Sequence, residues 1–508
     1  MATILSAVFD KCTPEQLSGL DAFFLHAESA RTPMHIGSCA IYDPSSAPDG
    51  KVRLKDILKF VDDRTHRAKT FCQKLKQVPL DFDRPYWVDD PDFDIEFHVR
   101  HIALPRPGDW RQLCIQVARL HARPLDLSKP LWEFTVIEGL EDVPGIPKGS
   151  YAIMSKVHHC AIDGVSGVEI YEAIHSLKPE DEVATDEPSK PGGREVGTLE
   201  LLARANYNNL VKPFQALMHA GRMAPGALKY AVGLTRDDMK LFGSSVPRTR
   251  FNGIVSGHRV FEAVSFSLAD IKKIRQQMMD VTVNDVMLAI VGGALHRYLD
   301  SKGELPEESL VAMAPVSVRS SSEKSTLGNE VSALSIALGT HITDPLERLQ
   351  FTHEKAVKSK EISNAVGARE ISEISKLAPA MISGVATRLY SRLGLANQLS
   401  PMFNTVVTNV PGPPVPLYMA GARMVRSFGV GPVMDSMGLF QAVTSYSGEI
   451  SVAVTACRDM LPDPAFYAEC LQSSFEELLA ASSPKKKAKK KRAPKVKGDA
   501  PASLKKAV

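Results

Sequence analysis

The sequence predicts a mixed α/β protein built as two lobes. Three observations predict it. The chain has 508 residues, more than a single core ordinarily serves. Alternating apolar runs, as at Glu449–Cys457, interleave with stretches of helical period, as at Trp110–Ala122. Between two such sets, from Leu177 to about Arg250, the composition turns first to Pro, Glu and Ser and then to Ala and Met. The division that follows is a first lobe at 1–180, a partly helical crossover at 181–253, a second lobe at 254–482 and a Lys-rich tail at 483–508.

Composition narrows the class. Seven scattered cysteines without regular spacing argue for a reducing compartment and against a disulfide framework. The N-terminus shows no basic region followed by an apolar core, so no signal peptide is expected. No apolar run approaches the roughly 18 residues of a spanning helix. The net charge of +3 is uneven. Lys485 to Val508 holds eleven Lys or Arg and one acid, giving the tail +10 and leaving −7 on the remainder. Such a tail should be disordered, and it reads as a tether to anionic lipid or as a solubilising segment. Nucleic acid is the weaker partner, because the acidic body offers no stripe to continue the tail.

In chain order, a short helix and a strand are expected across Leu17 to Asp43, with His26 and His35 as structural residues. Val52–Lys74 reads as one amphipathic helix and Pro85–His101 as a strand region. Pro130, Leu131 and Trp132 open a strand in which the proline fixes entry and Trp132, sharing a face with Phe134 and Val136, supplies core. The loop Gly139–Lys148 should return the chain as an antiparallel neighbour.

That neighbour is the most informative stretch, Ser150-Tyr-Ala-Ile-Met-Ser-Lys-Val-His158-His159-Cys-Ala-Ile-Asp163-Gly164. A strand ends at the histidines and a helix follows Asp163. A neutral imidazole is the usual acceptor of a proton near pH 7, and it needs a second group to fix its tautomer. Asp163 could cap the helix, orient a histidine or pair with a distant arginine, and Gly164 allows close backbone approach. A structural pair beside an Asp-Gly turn is the plain alternative. The paired ligand spacing of a zinc site is missing, so no metal is expected.

His158-His159-Cys-Ala-Ile-Asp163-Gly164 resembles the HHxxxDG signature of acyl-CoA-dependent acyltransferases, and more narrowly that of the bacterial wax ester synthase/diacylglycerol acyltransferase family. Three further motifs occur in family order: Pro130-Leu131-Trp132, Asn284-Asp285, and Asn409-Val410-Pro411-Gly412-Pro413. Thr282 with Asp285 is also a capping-box pattern, so a helix should start there, with Gly292-Gly293-Ala294 permitting close packing. Capping alone would account for much of the Asn284-Asp285 motif. The resemblance covers residues 10 to 480 and leaves the tail outside.

The resemblance implies two chloramphenicol-acetyltransferase-like lobes with a tunnel between them. Helical stretches across Pro345–Leu395 could line it. His159 would be the general base, with His158 and Asp163 in support and no covalent acyl-enzyme. Asn284 would donate to oxyanion charge, Arg319 would partner Asp163, and Thr408 and Asn409 would lie near the cleft mouth. The substrates implied are acyl-CoA with diacylglycerol or a long-chain alcohol. No cofactor is expected, acyl-CoA being a substrate, and attachment to a membrane or lipid body would be peripheral and cytoplasmic. A carrier-dependent acyltransferase of secondary metabolism and a catalytically silent lipid-droplet protein are the alternatives.

Overall fold

The computed structural model describes residues 14–162, 166–180, 196–211, 246–317, 331–366 and 393–482. The first lobe opens with helix α1 (Gly19–Ala27), capped by Ser18, whose Oγ accepts from the Asp21 N–H. Strand β1 (His35–Asp43), helix α2 (Leu54–Asp62), strands β2 (Gln73–Lys76), β3 (Tyr86–Asp89) and β4 (Val99–Ala103) follow. Helix α3 (Trp110–His121) starts in a capping box between Asp109 and Gln112 and buries Leu113, Val117 and Leu120 at helical spacing. Strands β5 (Trp132–Leu140) and β6 (Ser150–His158) pair antiparallel, as the loop between them predicts. Helix α4 (Ser166–Ala173) and helix α5 (198–211) complete this part.

The second lobe begins with β7 (Arg259–Ser267), helix α6 (Leu268–Gln276) and helix α7 (Val283–Ser301). Strands β8 (Val311–Ser317) and β9 (Val331–Ala337) precede helix α8 (Pro345–Val366). Strands β10 (Thr405–Pro411), β11 (Tyr418–Met419), β12 (Ala422–Val430), β13 (Leu439–Tyr446) and β14 (Glu449–Cys457) lead to helix α9 (Pro464–Ser482). Helix α7 is buried continuously from Asp285 to Leu295, which is why its sequence is apolar around most of its circumference. Strand β14 lies between β13 and β7 and is buried from Ile450 to Cys457.

Two six-stranded mixed sheets organise the molecule, in the orders β11-β12-β1-β6-β5-β4 and β7-β14-β13-β10-β8-β9. The first does not respect the boundary drawn from sequence. Residues 418–430, expected in the second lobe, join the first sheet, with β12 antiparallel to β1 from Gly37↔Val430 to Asp43↔Arg423. An alternating strand announces its faces but not its neighbour, so the exchange left no mark in the sequence. The lobes are also joined by a shared apolar core. The Trp110 indole of α3 donates to Glu262 of β7, and the Trp110 ring stands 5.3 Å from Phe428 of β12. Arg31 grips Asp435 with both guanidinium nitrogens at 3.2 Å and donates to the Val255 carbonyl at 2.6 Å.

Two expectations need correction. The helix anticipated over Val52–Lys74 stops at Asp62 because buried Arg64 turns back, donating to the Phe60 carbonyl and lying 3.5 Å over the Phe60 ring. The strand region Pro85–His101 is broken by a helical turn, Ile95–His98, capped by Asp94. Of the helix expected across Pro345–Leu395, residues 345–366 are helical, and 367–392 lie outside the described residues.

Helix α7 packs closely at its glycine pair, Gly292 against the backbone that follows β9 and Gly293 against side chains of α8 and α9. A Cβ on Gly292 would stand 2.3 Å from the Leu338 carbonyl oxygen, and one on Gly293 2.2 Å from the Ser474 hydroxyl. Gly292→Ala should therefore lower stability by about 1–3 kcal/mol as the backbone at Leu338 is pushed away. Chemical denaturation of variant and parent checks this.

Candidate active site

Strand β6 ends at His158, and His159 opens a single 3₁₀ turn, so the two histidines have different surroundings. His158 is fully buried. Its backbone N–H donates to the Leu131 carbonyl at 2.9 Å, which ties the Pro130-Leu131-Trp132 motif directly to the histidine pair. Its Nδ1 accepts from the Cys160 N–H at 3.1 Å, so the ring proton sits on Nε2 and donates to Glu28 Oε2 at 3.2 Å. Trp132 is core, as expected. Its indole N–H donates to the Phe71 carbonyl at 2.9 Å and its ring stacks on His98 at 4.5 Å.

Glu28 was not singled out from sequence. It follows α1, and its carboxylate faces two buried imidazoles, His158 at 3.2 Å and His35 at 3.4 Å. The His35 contact has ion-pair distance without hydrogen-bond geometry, leaving the His35 nitrogens unsatisfied. Burial alone would raise the Glu28 pKa, but the two imidazoles outweigh it and hold the carboxyl down at about 2. His35 and His121 are both kept neutral by burial, His121 down at about 3.

His159 lies flat on Phe24 of α1, ring centroids 3.7 Å apart and planes 14° apart. Phe24 and Glu28 are one helical turn apart, so α1 presents a stacking surface to one histidine and a carboxylate to the other. Burial pushes His159 down to about 4; its own backbone carbonyl favours the proton and only partly counteracts this. That carbonyl lies outside regular hydrogen-bond geometry, and Nδ1 has no partner among the described residues. The ring is therefore neutral near pH 7, with a lone pair able to accept a proton.

The second group of expected site residues sits at the start of α7. Thr282 and Asp285 form the capping box, with the Asp285 N–H donating to Thr282 Oγ1 at 3.2 Å and the Thr282 N–H donating to Asp285 Oδ2 at 2.9 Å. Asp285 also accepts from His353 Nδ1 of α8 at 2.9 Å, a partner the sequence did not suggest. Asn284 takes no part in the cap. Its Oδ1 accepts from Asn409 Nδ2 at 3.1 Å, so two motifs 125 residues apart meet side chain to side chain. Thr408 lies beside Asn409 in β10, opposite Ala442 of β13. Among the described residues, no hydrogen bond joins this pair to His159. Asp163, Gly164 and Arg319 lie outside the described residues.

The two-sheet fold is shared with a wax ester synthase/diacylglycerol acyltransferase and with condensation domains. The starter condensation domain of rhizomide synthetase shares the fold, with TM-score 0.53 and 14% identity over 95% of this chain and 96% of that one. The wax ester synthase/diacylglycerol acyltransferase from Marinobacter aquaeolei VT8 is nearer, with TM-score 0.66 and 28% identity over 92% of this chain and 99% of that one. The family profile for the wax ester synthase/diacylglycerol acyltransferase catalytic domain matches residues 17–287, and that for the WS/DGAT C-terminal domain matches 327–479. The chain belongs to this family. A relative from Mycobacterium tuberculosis strain CDC 1551 that carries a diacylglycerol O-acyltransferase name is 32% identical over 92% of this chain and 91% of its own. Another, from strain H37Rv and named tgs2, is 32% identical over 90% of this chain and 97% of its own.

The buried imidazoles set a pH dependence for stability. His121, His159 and His175 are held at about 3, 4 and 4 against an ordinary 6.5, so between pH 6.5 and 4 the unfolded chain binds more protons. Stability should fall as pH drops through that window. The Glu28 contribution, present above its ordinary 4.5, should fade only between pH 4.5 and 2. Thermal melts across pH check both, and Glu28→Gln should cost on the order of 1–3 kcal/mol at pH 7 by leaving His158 without its acceptor charge.

Proposed function

We propose that this chain transfers a long-chain acyl group from acyl-CoA to the hydroxyl of diacylglycerol, and to long-chain alcohols, with His159 as general base. The observation that carries the reading is His159 itself: neutral, stacked on Phe24 and placed at the end of a strand that Leu131 anchors. Family membership supplies the substrate class. Nδ1 is buried without a partner among the described residues, and in this reading Nε2 is the nitrogen whose lone pair accepts the proton.

The acceptor hydroxyl gives its proton to Nε2 as its oxygen attacks the thioester carbonyl. Free alkoxide is inaccessible near pH 7, so removal of the proton accompanies attack. The tetrahedral intermediate expels the CoA thiolate, and the imidazolium returns the proton to sulfur. No covalent acyl-enzyme is needed. The Asn409 contact fixes the Asn284 amide by its oxygen and leaves its N–H groups as donors for developing oxyanion charge. Asp163 would orient His159, and Arg319 would pair with Asp163. The acyl chain would occupy a tunnel between the lobes. Such substrates reside in lipid, so the protein would meet them by peripheral attachment, aided by its basic tail. No helix among the described residues is long and apolar enough to cross a membrane.

Thiol release from palmitoyl-CoA, with diolein or hexadecanol as acceptor, tests this. His159→Ala should lower kcat about 10²–10⁴-fold with the fold intact. Asn284→Ala should lower it roughly 10²–10³-fold. Near-parental turnover by His159→Ala, or release that ignores the acceptor, would contradict the reading.

A further inference from the structure

Helix α5 (198–211) is amphipathic in an unusual sense. Leu201, Ala205 and Asn208 face the body, where Leu201 and Ala205 pack with Val78 and Tyr86. At 100° per residue, Leu199, Ala203, Asn206 and Leu210 lie on the opposite face. Leu199 is 83% exposed and Leu210 78%, with Tyr207 beside them at 68%. No charge sits on that face. Glu200 and Arg204 lie to one side and pair with each other at 2.9 Å.

The loop beside this face repeats the pattern. Leu80 is 97% exposed and has φ 61°, a left-handed conformation that a leucine rarely adopts. Asp81 follows at φ 52°. The chain thus turns through two consecutive left-handed residues and presents a large apolar side chain wholly to the outside. Phe82 is next in line, half exposed, and its carbonyl accepts from Asn209 Nδ2 of α5 at 2.8 Å. Asn208 Nδ2 donates to Asp83 at 2.7 Å. Loop and helix are therefore one surface.

That surface is tied to the active site. Asn208 also donates to Gln16 at 3.3 Å, and the Leu17 N–H donates to the Pro85 carbonyl at 2.9 Å. Ser18 caps α1, and about 9 Å of helix rise further on Phe24 stacks on His159.

We propose that Leu80, Phe82 and the outward face of α5 form the surface by which the protein sits on lipid, with Leu80 inserted below the headgroups. The proposal rests on the acyltransferase reading, which places the substrates in lipid. Three features favour a lipid–water interface as the occupant. Leu80, Phe82, Leu199 and Leu210 expose large apolar side chains, with Asp81 and Asn206 as polar groups beside them, the phenol of Tyr207 borders the patch as amphipathic rings border bilayers, and the sequence supplies a +10 tail to hold anionic headgroups. Acceptor drawn from that interface would enter beside α1, toward His159.

Co-sedimentation of the full chain with phosphatidylcholine vesicles, without substrate and at high salt to screen the tail, isolates the apolar contribution. The parent should bind. Leu80→Asp and Leu210→Asp, both at exposed positions, should each reduce the bound-to-free ratio about tenfold or more. Turnover of a short-chain acyl-CoA and short alcohol in free solution should be unchanged in both, while acylation of vesicle-borne diolein falls. Equal binding by parent and variants overturns the proposal. So does binding that vanishes at high salt, which would leave only the tail, or a dimer that Leu210→Asp dissociates, which would make the face a contact between copies. A parent inert toward soluble and vesicle-borne substrates alike refutes the acyltransferase reading, while the vesicle binding still decides the docking face.

Discussion

The site depends on one buried carboxylate. Glu28 lies at the end of β6 facing two imidazoles, and His158 and His35 outweigh burial to keep it ionised, with the Met34 N–H donating to the same carboxylate. The consequences spread along the backbone. A fixed His158 accepts the Cys160 N–H, which shapes the turn that carries His159. Glu28 caps the C-terminal end of the helix that supplies Phe24, against which His159 lies flat. Removing the carboxylate would disturb the ring without touching it.

Around this centre the two lobes are interlocked and not merely adjacent. Strand β12 crosses from the second half of the chain into the first sheet, and Arg31, Trp110 and Glu262 add polar links across the join. The two halves are then held together by covalent continuity as well as packing. The meeting of Asn284 and Asn409 shows the same economy, since the start of α7 and the end of β10 fix one another.

Much of this was readable in advance, and the reasons are local. The histidine strand, its antiparallel partner and the capping box at Thr282 follow from alternation and from residue types at fixed offsets. Trp132 was readable as core because it shares a strand face with Phe134 and Val136. Glu28 was not, because a lone glutamate after a short helix looks like any surface residue until β1 and β6 bring His35 and His158 onto it. His353 escaped for the same reason, being 68 residues from Asp285. The β12 crossover escaped because pairing partners are a tertiary property. Helix α2 was read too long because Arg64, a strong helix former, is here spent on capping.

The central claim is that His159 stays neutral through the physiological range and acts as the base. The pH dependence of kcat/KM for diolein acylation in the parent tests it most directly. An acid limb near pH 4, with rate flat from about pH 5 to 7, is the predicted result. A limb near 6.5, or a profile unchanged by His159→Ala, would contradict it.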